Sequence, residues 1–213
     1  DPSNHGGVAN TVIFAEVEKK LEKLKKKPLG TIHADGRMTE SYNLLARDIA
    51  TQSIPPEEVE RFLETVLLDR MSNGTMYTHD MGFRSAEQLA IAARLKKSWE
   101  RERGTPFPLR RVYMYPSTLY PSPAHEIEQA LKAGHISEED ISWIGVKLIT
   151  DGTIGSRTAH VSIPYEDDPG NVGLATMSLE EMVNALEDAS RLGVSEVAIH
   201  AIGDVGISNA LLV

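Results

Sequence analysis

From Thr75 onward the chain repeats one pattern, a short apolar run followed by a longer stretch with helical spacing. The strand candidates are residues 75–80, 109–115, 143–150 and 194–200. Between them, Ser85 to about Arg103 and Ser122 to Gly134 read as helices. Another helix opens at Ser178-Leu179-Glu180-Glu181, which has the spacing of a capping box, and one more begins near Val205. Strands that alternate with helices build βαβ units and a parallel sheet. The strand centres Val146, Leu148 and Ile149, and Val197, Ala198 and Ile199, are apolar on both faces, as strands covered by helices on two sides require. A doubly wound sheet and part of a TIM-like (β/α)8 barrel both satisfy this α/β pattern. About four βα units can be placed, whereas a closed barrel needs eight and roughly 250 residues. A chain of 213 residues is therefore expected to be part of a larger domain, because four units would leave a barrel with unpaired edges.

Residues 1–54 precede the repeat and read as the N-terminal part of the same domain, a peripheral helix with turns, while residues 55–213 hold the βα units. Residues 12–26 carry Val17, Leu21 and Leu24 at helical spacing, and Gly30 to Gly36 is turn-rich. Pro55 and Pro56 open a helix with an acidic first turn, Glu57-Glu58. Its stripe is Val59, Phe62, Leu63, Val66 and Leu67, and Asn73-Gly74 ends it.

Composition excludes several functions. The net charge of -9 and the lack of a basic face argue against nucleic acid as partner. The run Lys19 to Lys27 is interleaved with Glu18 and Glu22, as on the solvated face of a helix. With no cysteine there are no disulfides, thiolate zinc sites or cysteine nucleophiles, so any metal must use His, Asp, Glu or a modified Lys. No run of 18 apolar residues and no signal-peptide pattern is present, so no membrane partner is expected and a cytoplasmic location is the default. The start, Asp1-Pro2-Ser3-Asn4-His5, does not look like a natural beginning.

Parallel α/β sheets place their chemistry at the C-terminal ends of the strands. Those ends are His79-Asp80, Tyr115-Pro116, Lys147 to Asp151, and His200 to Asp204. Lys147 lies between Val146 and Leu148, where a buried charge is costly and a lowered pKa makes the amine nucleophilic. Such an amine can form a Schiff base or a carbamate, or its ammonium can reach solvent at the strand end. His200 ends its strand and can serve as a hydrogen-bonded core histidine or as a metal ligand, with Asp204 placed to orient the ring. Asp151 to Ala159 carries two glycines and Arg157 but no lysine at phosphate-loop spacing, so it reads as a substrate-contacting loop. Asp151 and Arg157 on this loop, and His79 at its own strand end, are the substrate-binding candidates.

The run Val146-Lys147-Leu148-Ile149-Thr150-Asp151-Gly152-Thr153-Ile154-Gly155-Ser156-Arg157-Thr158-Ala159 resembles the signature VKLFADGALGSRTA of the amidohydrolase 3 family, in the amidohydrolase superfamily. That group includes proteins like N-substituted formamide deformylase and exoenzyme regulatory proteins. Pro164-Tyr165, Asp168-Pro169-Gly170 and Gly173 resemble its next block, and His200-Ala201-Ile202-Gly203-Asp204 matches HAIGD. Weaker likenesses lie at Ser3-Asn4-His5 with Asn10, at Gly36 with Glu40, and at Gly74 to Gly82. Val205-Gly206 departs from the usual RA.

The resemblance implies a (β/α)8 barrel with one or two divalent metal ions, usually zinc, at its mouth. Lys147 would be a metal ligand, carboxylated to bridge two ions, and His200 would be another. The family's His-x-His pair would precede Asp1. Its remaining histidine and the aspartate that acts as general base would follow Val213. The implied activity is hydrolysis of an amide or cyclic amide C–N bond in a small molecule by metal-activated water, in a chain that can also be a homo-oligomer. The rivals are a non-catalytic binding or regulatory protein on the same barrel, and a Schiff-base enzyme using Lys147.

Overall fold

The computed structural model describes residues 6–23, 28–115 and 122–213. The likenesses at Ser3-Asn4-His5 and the strand-end residue Pro116 fall outside them. The chain divides into two compact units. One comprises Asp1–Ser53, Ile149–Val183 and Ile199–Val213, and the other Ile54–Leu148 and Asn184–Ala198. Two strands therefore begin in the second unit and end in the first.

In the first unit, β1 (Gly6–Val8) pairs antiparallel with β2 (Arg37–Thr39). Helix α1 (Thr11–Leu21) is started by Asn10, whose side chain accepts the Ile13 amide at 3.0 Å. Helix α2 (Glu40–Gln52) buries Tyr42, Leu45 and Ala46, packs on α1 and has no counterpart in the sequence reading. Its start carries no side-chain cap, and Ser41, Asn43 and Thr51 are poor helix formers.

Most of the rhythm read from the sequence lies in the second unit, and its last helix in the first. Helix α3 (Pro56–Ser72) has the acidic first turn and ends at Asn73, ahead of left-handed Gly74. Strand β3 spans Thr78–Phe83, later than expected. The reason is that Thr75 still donates to Arg70 O at 2.9 Å, so the turn after α3 uses up residues that the apolar pattern assigned to the strand. Helix α4 (Ala86–Arg103) is capped by Ser85 and stopped by left-handed Gly104. Strand β4 (Leu109–Met114), helix α5 (Pro123–Lys132), a 3₁₀ turn (Glu138–Trp143) and β5 (Ile144–Ile149) follow. Helix α6 (Leu179–Arg191), β6 (Glu196–His200) and α7 (Asp204–Ala210) complete the order. The Ser178 capping box forms, with Ser178 N on Glu181 Oε2 at 2.9 Å and Glu181 N on Ser178 Oγ at 3.2 Å.

The sheet order is β3-β4-β5-β6, and the pairs β3/β4 and β4/β5 are parallel. Val112 faces Ile144 and Met114 faces Val146, and all four are buried, as are Leu89, Ala92 and Leu95 of α4. Trp143 anchors this core by donating Nε1–H to Leu109 O at 2.9 Å. Gly145 is needed where it stands, since a Cβ there would meet the Tyr113 ring at 2.6 Å. Among the described residues the sheet stays at four strands, with β3 and β6 as its edges. That corrects the expectation that both strand centres are covered on two faces: Val197 on β6 is 45% exposed, while Val146 and Leu148 on β5 are buried.

Candidate functional site

The segment after β5 and the turn after β6 belong to the same compact unit and are fastened together by main-chain atoms. Thr150 gives both its amide and its hydroxyl to His200 O, each at 2.9 Å. Thr176 N then donates to Thr150 O at 3.0 Å, and its hydroxyl to Ile149 O. The last residue of β6 is thus held through its carbonyl, and its ring projects from a fixed backbone.

Asp151 lies fully buried at the centre of this arrangement. Its Oδ1 accepts the Ile202 amide at 3.0 Å, and Oδ2 accepts the amides of Gly203 at 2.7 Å and His160 at 2.9 Å. A carboxylate that takes three amides from two loops ties those loops together. The surroundings are tight: a Cβ on Gly206 would stand 2.4 Å from Asp151 Oδ2, and one on Gly203 would stand 1.9 Å from His160 O. His160 itself, given no role from the sequence, has a buried Nδ1 without a hydrogen-bond partner among the described residues.

The His200 ring meets Gly152 O through Nε2 at 2.9 Å. A carbonyl oxygen has only lone pairs, so Nε2 must carry the hydrogen. In the neutral imidazole the lone pair is then on Nδ1, and the ring can act as a ligand through that atom.

The other predicted residues are placed as follows. Asp204 opens α7, and its carboxylate accepts the amide and the hydroxyl of Ser162. The Ser162 hydroxyl, then its amide, hold this carboxyl below the usual carboxylate range. Arg157 takes a left-handed φ of 56° and turns outward to Asp167, donating Nε–H to Oδ1 at 2.9 Å and Nη2–H to Oδ2. This hydrogen-bonded pair raises the Arg157 pKa and lowers that of Asp167. Tyr165 closes the same loop by donating its hydroxyl to Ala159 O at 2.9 Å, and burial pushes its phenol pKa up.

Asp151, Arg157, His200 and Asp204 therefore share one unit, in which Asp151 and His200 are joined through a few backbone bonds. His79 and Lys147 belong to the other. His79 lies exposed on β3, its ring 6.1 Å from Tyr113 and tilted by 35°. Lys147 is half-buried on β5, and desolvation lowers its pKa from the ordinary lysine value.

Several residues in this network have no role in the sequence reading. Glu40 is buried, and Thr158 donates its hydroxyl to Glu40 Oε1 at 2.6 Å. The only sign of Glu40 in the sequence is its spacing from Gly36. The Gly152 carbonyl is a main-chain atom and has no residue-type signal at all.

No family model matches the chain. It is 34% identical to Protein LONG AFTER FAR-RED 3 of Arabidopsis thaliana over 96 residues, which is 45% of this chain and 16% of that protein. It is 35% identical to the putative amidohydrolase YtcJ of Bacillus subtilis (strain 168) over 71 residues, 33% of this chain and 13% of that protein. Two crystal structures of uncharacterized metal-dependent hydrolases are similar over 97% of the chain. The protein from Pyrococcus furiosus has a TM-score of 0.62 at 24% identity, with 40% of its chain covered. The one from Pyrococcus horikoshii OT3 has a TM-score of 0.64 at 26% identity, with 39% covered. The chain thus spans well under two thirds of each of these relatives. Along nearly all of its own length its fold resembles that of metal-dependent hydrolases, and part of its sequence resembles an amidohydrolase.

Proposed function

We propose that this chain is part of a metal-dependent hydrolase of the amidohydrolase 3 type, built on a (β/α)8 barrel and cleaving a C–N bond of an amide or cyclic amide. The observation that carries this reading is the His200 ring. With Nε2–H directed to Gly152 O at 2.9 Å, it is held as the tautomer that presents Nδ1. That donor suits a divalent metal such as zinc, which coordinates neutral imidazole.

The fit is partial. Among the described residues no three His, Cys, Asp or Glu side chains cluster as a metal site requires, so His200 supplies one donor of a larger set. Lys147 is the second proposed ligand. Considered alone, its half-buried amine has the lowered pKa that carbamate formation needs. A bound divalent cation polarises a carbonyl and lowers the pKa of water toward about 7. The chain's own residues do the holding. Asp151 fixes the turn that follows His200, and Thr150 fixes the His200 backbone. The exposed Arg157 guanidinium has five N–H donors, two of them on Asp167, and is the proposed contact for a substrate carboxylate or carbonyl. The proposed substrate is a small molecule, with neither nucleic acid nor membrane as partner. No helix of the described residues is long and apolar enough to cross a membrane.

The test uses the full-length protein. Metal analysis of the purified protein should find zinc or another divalent ion, and His200→Ala should lose it. A screen of amides and cyclic amides should show hydrolysis that chelation abolishes and added metal restores. Folded full-length protein that binds no divalent metal and leaves every amide intact would overturn the reading.

A further inference from the structure

Glu40 is the second non-glycine residue with a left-handed backbone, at φ 49°. A glutamate stays in that region only where its surroundings hold it, and strain of this kind gathers at functional positions. The loop that follows β5 is part of those surroundings. Glu40 is 6% exposed, and its Oε1 takes the Thr158 hydroxyl at 2.6 Å.

A carboxylate can only accept, so the Thr158 hydrogen points at Glu40. Thr158 Oγ1 also receives the Thr153 amide at 3.1 Å. With its own hydrogen committed, it must accept the Ser156 hydroxyl at 2.5 Å, and Ser156 in turn accepts the Thr153 hydroxyl at 2.9 Å. One buried carboxylate therefore sets the direction of three hydroxyls.

Gly152 is pressed against this cluster. A Cβ there would stand 1.9 Å from Thr158 Oγ1 and 2.7 Å from Glu40 Oε1. Gly152 N donates to Thr158 O at 3.0 Å, and Gly152 O takes the His200 Nε2 hydrogen at 2.9 Å. The residue that Glu40 and Thr158 clamp is the one that decides which His200 nitrogen carries the proton.

We propose that Glu40 is a positioning residue for His200: through Thr158 it holds Gly152 so that the proton stays on Nε2 and the lone pair on Nδ1. The proposal deepens the reading of His200 as a metal ligand and rests on it for its purpose. Outer partners of this kind typically change metal affinity by about 10–100-fold when they are removed.

The experiment follows the His200 imidazole nitrogens by ¹⁵N NMR in the full-length chain. The protein is freed of metal with a chelator and measured at mildly alkaline pH. His200→Asn identifies the signals. The wild type should show a single tautomer protonated at Nε2. Glu40→Ala and Thr158→Val should each give a mixture of tautomers and bind added zinc at least about tenfold more weakly. Thr158→Ser, which keeps the hydroxyl, should match the wild type. Should Glu40→Ala not fold, Thr158→Val, which exchanges a hydroxyl for a methyl in the same volume, decides the matter. Variants that melt earlier but keep His200 wholly protonated at Nε2 would reduce Glu40 to a structural role and overturn the proposal. A shifted tautomer in a protein that binds no zinc would instead leave the positioning intact and remove the metal reading.

Discussion

Replacing Asp151 with Asn tests whether this buried carboxylate is the fastener between the two loops. The change removes almost no volume but leaves one acceptor where there were two. In its better orientation the new carbonyl stands in for Oδ2 and keeps the amides of His160 and Gly203. The new NH2 group then faces the Ile202 amide, donor against donor. An unsatisfied buried donor costs about 1–3 kcal/mol. Two charge-assisted bonds that become neutral lose roughly 0.5–1 kcal/mol each, half the gap between those classes. Together these come to about 3 kcal/mol, a large part of the roughly 5–15 kcal/mol that holds a domain. Amide hydrogen exchange read residue by residue is the assay, because it reports local opening. About 3 kcal/mol corresponds to roughly hundredfold faster exchange at His160, Ile202 and Gly203. Amides of the other unit, such as Leu89 on Ser85 O, should be unaffected. Unchanged exchange at the three amides, within a factor of about three, would refute the reasoning.

The two glycines Gly203 and Gly155 should respond unequally. Gly203→Ala puts a Cβ 1.9 Å from His160 O and should lower stability by more than about 2 kcal/mol, whereas Gly155→Ala meets nothing within 4 Å. The latter should stay within about 0.5 kcal/mol, as urea midpoints would show. Asp140 carries a pH signature. Burial opposes its charge, but the Ser137 amide and hydroxyl and Lys96 outweigh that and hold its pKa below 3.8. Because the folded pKa is the lower one, its stabilisation is full above the unfolded value near 3.9 and is lost as pH falls through the folded value. Asp140→Asn should flatten part of the acid limb in melts between about pH 2 and 5. Lys147 is shifted in the same direction, but here the charged form is the one that burial disfavours. Its folded pKa lies below 10.5, so the unfolded state binds more protons between the two values and stability rises with pH there. Lys147→Met should stabilise the metal-free protein near neutral pH, and the gain should vanish above the unfolded pKa. A gain that persists at high pH would mean that packing, not charge, was responsible.

The repeat of strands and helices was legible because local chemistry marked it. Ser85, Ser122 and Ser178 cap helices where the sequence placed their starts, and Leu109, Ile144 and Glu196 begin strands close to the expected positions. Helix α2 was not, since it begins at a glutamate with positive φ and has no capping side chain to announce it. The three-residue strands β1 and β2 are too short to show an alternation. At the candidate site, His200 was legible as a strand end carrying an imidazole, but its partner was not. Asp204, read as its orienter, holds Ser162, and the carbonyl of Gly152 meets the ring instead. The pairing of Glu40 with Thr158 joins residues 118 positions apart, beyond any periodic or local signal.

The most recognisable block of the chain is the segment from Thr150 to Ala159, and the structure explains its density in architectural terms. Thr150 and Asp151 fasten it to the residues around His200, and Gly152 has no room for a side chain. Thr153, Ser156 and Thr158 order one another's hydroxyls against Glu40, while Arg157 turns away to Asp167. Arg157 apart, these residues are tied by hydrogen bonds or close contact to the backbone that carries one imidazole or to the carbonyl that meets it. A positional error of about 1 Å at a reacting group can cost a hundredfold in rate. The His200 ring is only partly buried. The loop therefore supplies by hydrogen bonds the rigidity that a buried core would otherwise give, and loosening any one member should be felt first at His200.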